Sequence, residues 1–127
     1  MKSSAFTLEQ ALSNDFGLLS DLITLHAEQQ PEKIAVIDDQ SSISWKELNQ
    51  AVDQVAATLQ QKLHVGDVIA ICASSSISYV TTFLGALRTG VTVTPLAPSL
   101  QPSVLERMIH NAGAKLLFID SSTAPLF

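Results

Sequence analysis

The stretch from Val68 to Pro98 constrains the fold most strongly, because Arg88 is its only charged residue. Two mostly apolar runs, one that begins at Asp67 just ahead of this stretch and extends to residue 73 and one at residues 91–94, lie on either side of a segment whose apolar side chains recur at helical spacing. An apolar run of this kind is typical of a strand that is covered on both faces. The sequence therefore predicts two buried strands joined by a helix.

A second helix and a third strand continue the alternation. Pro95 and Pro98 prevent the second strand from extending, and residues 115–119 form another apolar run. Strands that alternate with helices imply a parallel sheet with right-handed crossovers. The predicted fold class is therefore α/β, with a parallel β-α-β-α-β core.

Both helices of this core have a predicted inward face, because apolar residues recur every three or four positions. The first helix begins at the Ser74–Ser76 cap and stops at Thr89-Gly90, with an inward face of Ile77, Val80, Phe83, Leu84 and Leu87. The second closes at residues 111–113, with an inward face of Leu105, Met108, Ile109 and Ala112.

A short hairpin and a capped helix are predicted ahead of the core. Residues 33–38 form a β-branched run, residues 39–41 a turn, and residues 42–43 the antiparallel partner. Ser44 and Glu47 have the S-x-x-E spacing of a capping box, which predicts that a helix starts there. Its apolar face consists of Leu48, Val52, Val55, Ala56, Leu59 and Leu63.

Residues 1–30 are predicted to form a separate amino-terminal helical arm with a break near residues 14–17, and residues 31–127 the α/β segment. The chain has 12 acidic and 7 basic side chains, giving a net charge of -5. Residues 1–39 hold 7 of the acids and 2 of the bases, so the arm and hairpin carry the whole net charge.

The low charge content raises two alternatives, a membrane protein or a chain with much of its surface covered by protein. Charged residues make up 15% of the sequence, against about 25% in typical soluble domains, and the mean hydropathy is +0.28. A spanning helix needs about 20 mostly apolar residues, and serines, prolines, Gly90 and Arg88 interrupt every candidate run. The sequence predicts no transmembrane segment, which leaves a covered surface.

Other broad classes are also disfavoured. The sequence has no basic patch, so nucleic-acid binding lacks electrostatic support. No apolar segment follows Met1–Ser4, so we expect no signal peptide. Cys72 is the only cysteine and cannot form an internal disulfide, which is consistent with a cytoplasmic location.

The run Ser74–Ser76 is the one candidate anion site, because free amides at a helix start can bind a phosphate. Serine is also a preferred helix cap, and capping is the stronger expectation. The sequence has neither of the glycine-rich phosphate motifs, G-x-x-x-x-G-K-S/T or G-x-G-x-x-G.

The remaining polar residues are predicted to be structural. His26, His64 and His110 are far apart and lack partners at metal-ligand spacing. Asp38 and its neighbour lie in the predicted hairpin turn, where aspartate is expected for local backbone reasons. Arg88 is expected at a helix end near carbonyl groups, and Cys72 in the core. We therefore assign no catalytic, cofactor-binding or metal-binding residue.

Several stretches resemble one enzyme family. Residues 31–36 (PEKIAV) with 43–48 (ISWKEL), residues 65–71 (VGDVIAI) and residues 83–98 (FLGALRTGVTVTPLAP) stand in order and at plausible spacing. They resemble the amino-terminal region of AMP-binding, acyl-adenylate-forming enzymes, a family that includes acyl-CoA synthetases, peptide-synthetase adenylation domains and luciferases. The form of residues 94–98 is more similar to that of acyl- or aryl-CoA ligases, while His64 replaces a glycine usual in the family.

The resemblance implies a parent enzyme that activates a carboxylic acid with ATP and Mg and then transfers the acyl group to a thiol, with coenzyme A as the expected acceptor. It implies that residues 31–127 are a partial amino-terminal subdomain whose partner is the remainder of that enzyme. The family's phosphate loop, adenine-stacking aromatic residue, ribose-binding Asp and catalytic Lys have no counterpart in the sequence. We therefore expect these 127 residues alone to be inactive.

A different class of function remains open, that of a non-catalytic α/β module that binds another protein through its apolar surface. A gene that continues past Phe127 into a Thr-Ser-Gly-rich phosphate loop would favour the enzyme segment, and a stop codon there would favour the module. In either case residues 115–119 are a candidate free strand edge. We expect the chain to self-associate there or through an exchanged element.

Overall fold

The computed structural model describes residues 18–127 and, ahead of them, Glu9. The predicted break near residues 14–17 lies outside the described residues. The elements are helix α1 (Leu19–Gln29), strands β1 (Ile34–Ile37) and β2 (Ser42–Ser44), helix α2 (Trp45–Lys62), strand β3 (Val68–Cys72), helix α3 (Ile77–Arg88), strand β4 (Thr92–Pro95), helix α4 (Pro102–Ala112), strand β5 (Ala114–Ile119) and a 3₁₀ turn (Ala124–Leu126).

Strands β3, β4 and β5 form the predicted parallel sheet, in the order β4-β3-β5. Ile69 in the central strand lies opposite Val93 on one side and Leu116 on the other. Strands β1 and β2 form a separate antiparallel hairpin with a register shift between Ile34 and Val36. The α/β prediction is therefore confirmed in both its parts, the parallel core and the hairpin ahead of it.

Helices cover both faces of the sheet. Consecutive residues of β3 point to opposite faces, so this strand contributes to two different cores. Ile69 and Ile71 pack in a core with residues of α2 and α3, such as Leu59 and Ala86. The alternate residues of β3 pack in a second core with Leu105 of α4. Residues 69–72 of β3 are at most 1% exposed, which explains why this strand is almost purely apolar. The prediction of buried strands is wrong for β4 and β5, which contain no buried residue because each lies at an edge of the sheet.

The capped helix begins as predicted. The Ser44 hydroxyl accepts a hydrogen bond from the Glu47 amide at 3.2 Å, and the Glu47 carboxylate accepts one from the Ser44 amide at 2.9 Å. The inward face of α2 buries four of the predicted residues, with Leu63 buried just beyond the helix and Val55 partly buried. Ile23 of α1 packs against Leu48 and Val52, so α1 is attached to this helix.

The predicted inward face of α3 is only partly correct. The buried residues of the helix are Thr81, Gly85 and Ala86, while Leu87 is 39% exposed. The other four predicted residues are partly buried. The small residues face inward because α3 lies very close to α2, which leaves the larger side chains on the flanks of that contact.

Helix α4 shows one similar correction. Leu105 is completely buried and Ile109 packs in the same core, but Met108 is 40% exposed. At 100° per residue, Ile109 lies about 40° from Leu105 around the helix axis and Met108 about 60° away on the other side. Because α4 buries only a narrow stripe on the sheet, Met108 falls outside it.

No helix in the described part of the chain is long and apolar enough to cross a membrane.

Candidate functional site

The best place for a ligand in this topology is the carboxyl edge of the sheet between β3 and β5. The chain passes from β3 through α3 to β4 on one side, and then through α4 to β5 on the other side. Ligands of open α/β sheets bind in the crevice where the strand order reverses in this way. Ser74–Ser76 follow β3 and residues 120–123 follow β5, so both segments lie at this crevice.

The protein's own polar groups connect the two segments across the crevice. The Ser74 amide donates to Asp120 Oδ2 at 2.8 Å, and the Ser74 and Ser122 hydroxyls are 2.8 Å apart. The buried Thr123 hydroxyl donates to the Cys72 carbonyl oxygen at 2.6 Å. These contacts fasten residues 120–123 over the end of the central strand.

Asp120 is the centre of this crevice network. Its Oδ1 atom accepts hydrogen bonds from the Ser122 hydroxyl at 2.7 Å and from the Thr123 amide at 3.0 Å. The Ser122 hydroxyl, followed by the Ser74 amide, holds the pKa of the Asp120 carboxyl well below its usual range. A carboxylate at this position repels a phosphate group, so the crevice does not provide an anion site of its own.

Two amides at the start of α3 are also occupied. The Ser76 hydroxyl accepts from the Tyr79 amide at 3.1 Å, which confirms the capping prediction for Ser76. Asp38 Oδ2 in the hairpin turn accepts from the Ile77 amide at 3.0 Å. That bond is the largest cause of a lowered pKa of the Asp38 carboxyl. Ser76 and Asp38 thus accept two of the hydrogen bonds that a bound anion would accept, and the Asp38 carboxylate adds a negative charge there.

Asp38 therefore has both a local and a distant role. Its Oδ1 atom accepts from the Gln40 and Ser41 amides, each at 2.9 Å, as the turn prediction requires. The contact with Ile77 joins the hairpin to α3 and was not predicted. Asp120, Ser122 and Thr123 were also missed, although the run D-S-S-T directly after a strand, at the same edge as Ser74–Ser76, is a usable signal.

Arg88 lies at the last position of α3, as predicted, but its main partners are side chains of other helices. Its Nε donates to the Ser20 hydroxyl at 2.6 Å, one terminal nitrogen contacts Asp53 at 2.6 Å, and the other donates to Asn49 at 2.9 Å. The Arg88 side chain is 15% exposed. It therefore joins α1, α2 and α3.

Cys72 and the histidines do not form a reactive centre. Cys72 is fully buried, and burial raises the pKa of its thiol. The His26 ring lies 4.6 Å from the Trp45 ring, and its Nδ1 pairs with the Gln30 side chain at 2.8 Å. Among the described residues, no group of three or more histidine, cysteine, aspartate or glutamate side chains could hold a metal ion.

Comparisons with known proteins identify the family. The family model for AMP-binding enzymes matches residues 23–126. Bacitracin synthase 2 of Bacillus licheniformis is 31% identical over 102 residues, which are 80% of this chain and 4% of that protein. The chain belongs to the AMP-binding enzyme family, and its resemblance to the amino-terminal region of these enzymes is confirmed.

Solved structures show the same fold. The complex of VinN with L-aspartate superimposes with a TM-score of 0.81 and 28% identity, covering 87% of this chain and 32% of that one. The amino-terminal subdomain of Klebsiella oxytoca NpsA superimposes with a TM-score of 0.74 and 26% identity, covering 82% of this chain and 28% of that one. The chain thus spans about a third or less of these relatives.

Proposed function

We propose that this chain supplies an amino-terminal part of an enzyme that activates a carboxylic acid by adenylation. A carboxylate oxygen attacks the α-phosphorus of ATP, the bond to pyrophosphate breaks, and acyl-AMP forms. A thiol then attacks the acyl carbonyl carbon and AMP leaves. The observation that carries the proposal is the family match over residues 23–126.

Within that enzyme, we assign this segment the role of scaffold. Asp120 and Ser122 bridge its most ligand-like crevice to Ser74, and two amides at the start of α3 are used by Asp38 and Ser76. ATP, Mg and the thiol therefore bind to other parts of the enzyme in this proposal. In this proposal the amino-terminal arm, of which residues 1–17 lie almost wholly outside the described residues, and the α/β segment of residues 31–127 both belong to that scaffold, and the enzyme works in the cytoplasm.

Two acceptor thiols are candidates. The form of residues 94–98 resembles acyl- or aryl-CoA ligases and favours coenzyme A. The similarity to bacitracin synthase 2 favours instead an enzyme of peptide synthesis, in which the acid is an amino acid and the acceptor is a carrier protein. The coarser activity, formation of an acyl-adenylate, is common to both candidates.

The test uses the complete product of the gene. An antibody raised against residues 18–127 would capture that product from the native cells, and its mass would be measured. Acid-dependent exchange of labelled pyrophosphate into ATP would then be assayed with amino, aryl and fatty acids in parallel. Because both thiol acceptors react after adenylation, the exchange tests adenylation alone.

We expect a longer product that exchanges pyrophosphate with one acid class. Coenzyme A and a loaded carrier protein, added separately, would then distinguish the two acceptors. A captured product of 127 residues that neither exchanges pyrophosphate nor copurifies with an exchanging polypeptide would overturn the proposal and favour the non-catalytic interaction module.

A further inference from the structure

We draw no further inference here: the strongest candidate, the outer edge of β5 with the apolar groove beside Phe118 on the α2 and α3 face of the sheet, is an unpartnered apolar surface, and nothing in the described residues shows what covers it.

Discussion

Gly85 of α3 lies against Val55 of α2 so closely that a Cβ atom on Gly85 would be 2.5 Å from the Val55 Cγ1 atom. The same atom would be 3.2 Å from the Val52 carbonyl oxygen. Neither neighbour is the end of a flexible side chain, so neither can move away easily. The glycine therefore sets the distance between the two helices that cover one face of the sheet.

We predict that Gly85→Ala lowers the free energy of unfolding by about 1–3 kcal/mol, the usual cost of overpacking a core. Alanine has a better helix propensity than glycine, by about 1 kcal/mol, which offsets part of the loss. Ser78→Ala, at an exposed position of the same helix, is the control and should be neutral or slightly stabilising. Urea denaturation of both variants measures the difference, and equal stability would contradict the close contact.

The sequence was sufficient for features that depend on neighbouring residues. The apolar runs predicted the three strands of the parallel sheet, although only β3 is buried and the edge strands β4 and β5 contain no buried residue. The spacing of Ser44 and Glu47 predicted the capping box, because both partners lie within one helical turn. The alternation of strands and helices was sufficient for the parallel sheet, since few other connections are possible.

Features that depend on distant partners were not predictable in this way. Asp38 and Ile77 are 39 residues apart, and Ser74 and Asp120 are 46 apart, so local patterns do not reveal either contact. The exposure of Leu87 was not predictable for the same reason. Helical spacing predicts an apolar face, but the approach of α2 at Gly85 decides which part of it is buried.

Arg88 should contribute more to stability than its exposed ion pair suggests. We predict that Arg88→Met costs about 2–3 kcal/mol, because Asn49 and Ser20 lose a charged donor at a partly buried position. Asp53→Asn should cost less than about 1 kcal/mol, since the Asp53 side chain is 64% exposed. Hydrogen exchange should show the loss of protection concentrated in α1. Equal costs for the two variants would show that the Asp53 pair dominates.

The contributions of the capping box and of Phe83 in α3 to the free energy of unfolding can be compared directly. We predict that Ser44→Ala costs about 1 kcal/mol through the lost cap. Phe83→Ala should cost about 2 kcal/mol, because the ring is partly buried against the core on the α2 and α3 face. Denaturant unfolding of both variants measures which substitution lowers stability more. A smaller loss for Phe83 than for Ser44 would show that the ring contributes little to the core.

The chain of 127 residues alone should not release pyrophosphate from ATP with any carboxylic acid. Asp120 and Asp38 accept the Ser74 and Ile77 amides at the sheet edge, which puts two carboxylates where a phosphate would have to bind. A coupled pyrophosphate assay with amino, aryl and fatty acids measures the release, with an intact member of the family as positive control. Release above the no-protein level from pure material would show that a nucleotide site exists within these residues.

The crevice network should make stability depend on pH in acid solution. The pKa of Asp120 is lowered in the folded state from an ordinary value of 3.8, first by the Ser122 hydroxyl and then by the Ser74 amide. A lowered folded-state pKa gives a stabilisation that is present above the unfolded-state value and is lost as the pH falls below it. We therefore expect the urea concentration at the unfolding midpoint to decrease as the pH is lowered, with the decrease starting at about pH 4–5.

Asp120→Asn should be less stable than the wild type at pH 7, and the difference should narrow as the pH falls through 3.8 toward the lower folded-state pKa. The Asp120→Asn substitution removes only part of the pH dependence of stability, because hydrogen bonds also lower the pKa values of Asp38, Glu47 and Asp67. Asp39→Asn, an exposed change in the hairpin turn, controls for the loss of one negative charge. The difference in stability between Asp120→Asn and the wild type could instead stay constant across this pH range. That result would show that the Asp120 network acts through its shape and not through its charge.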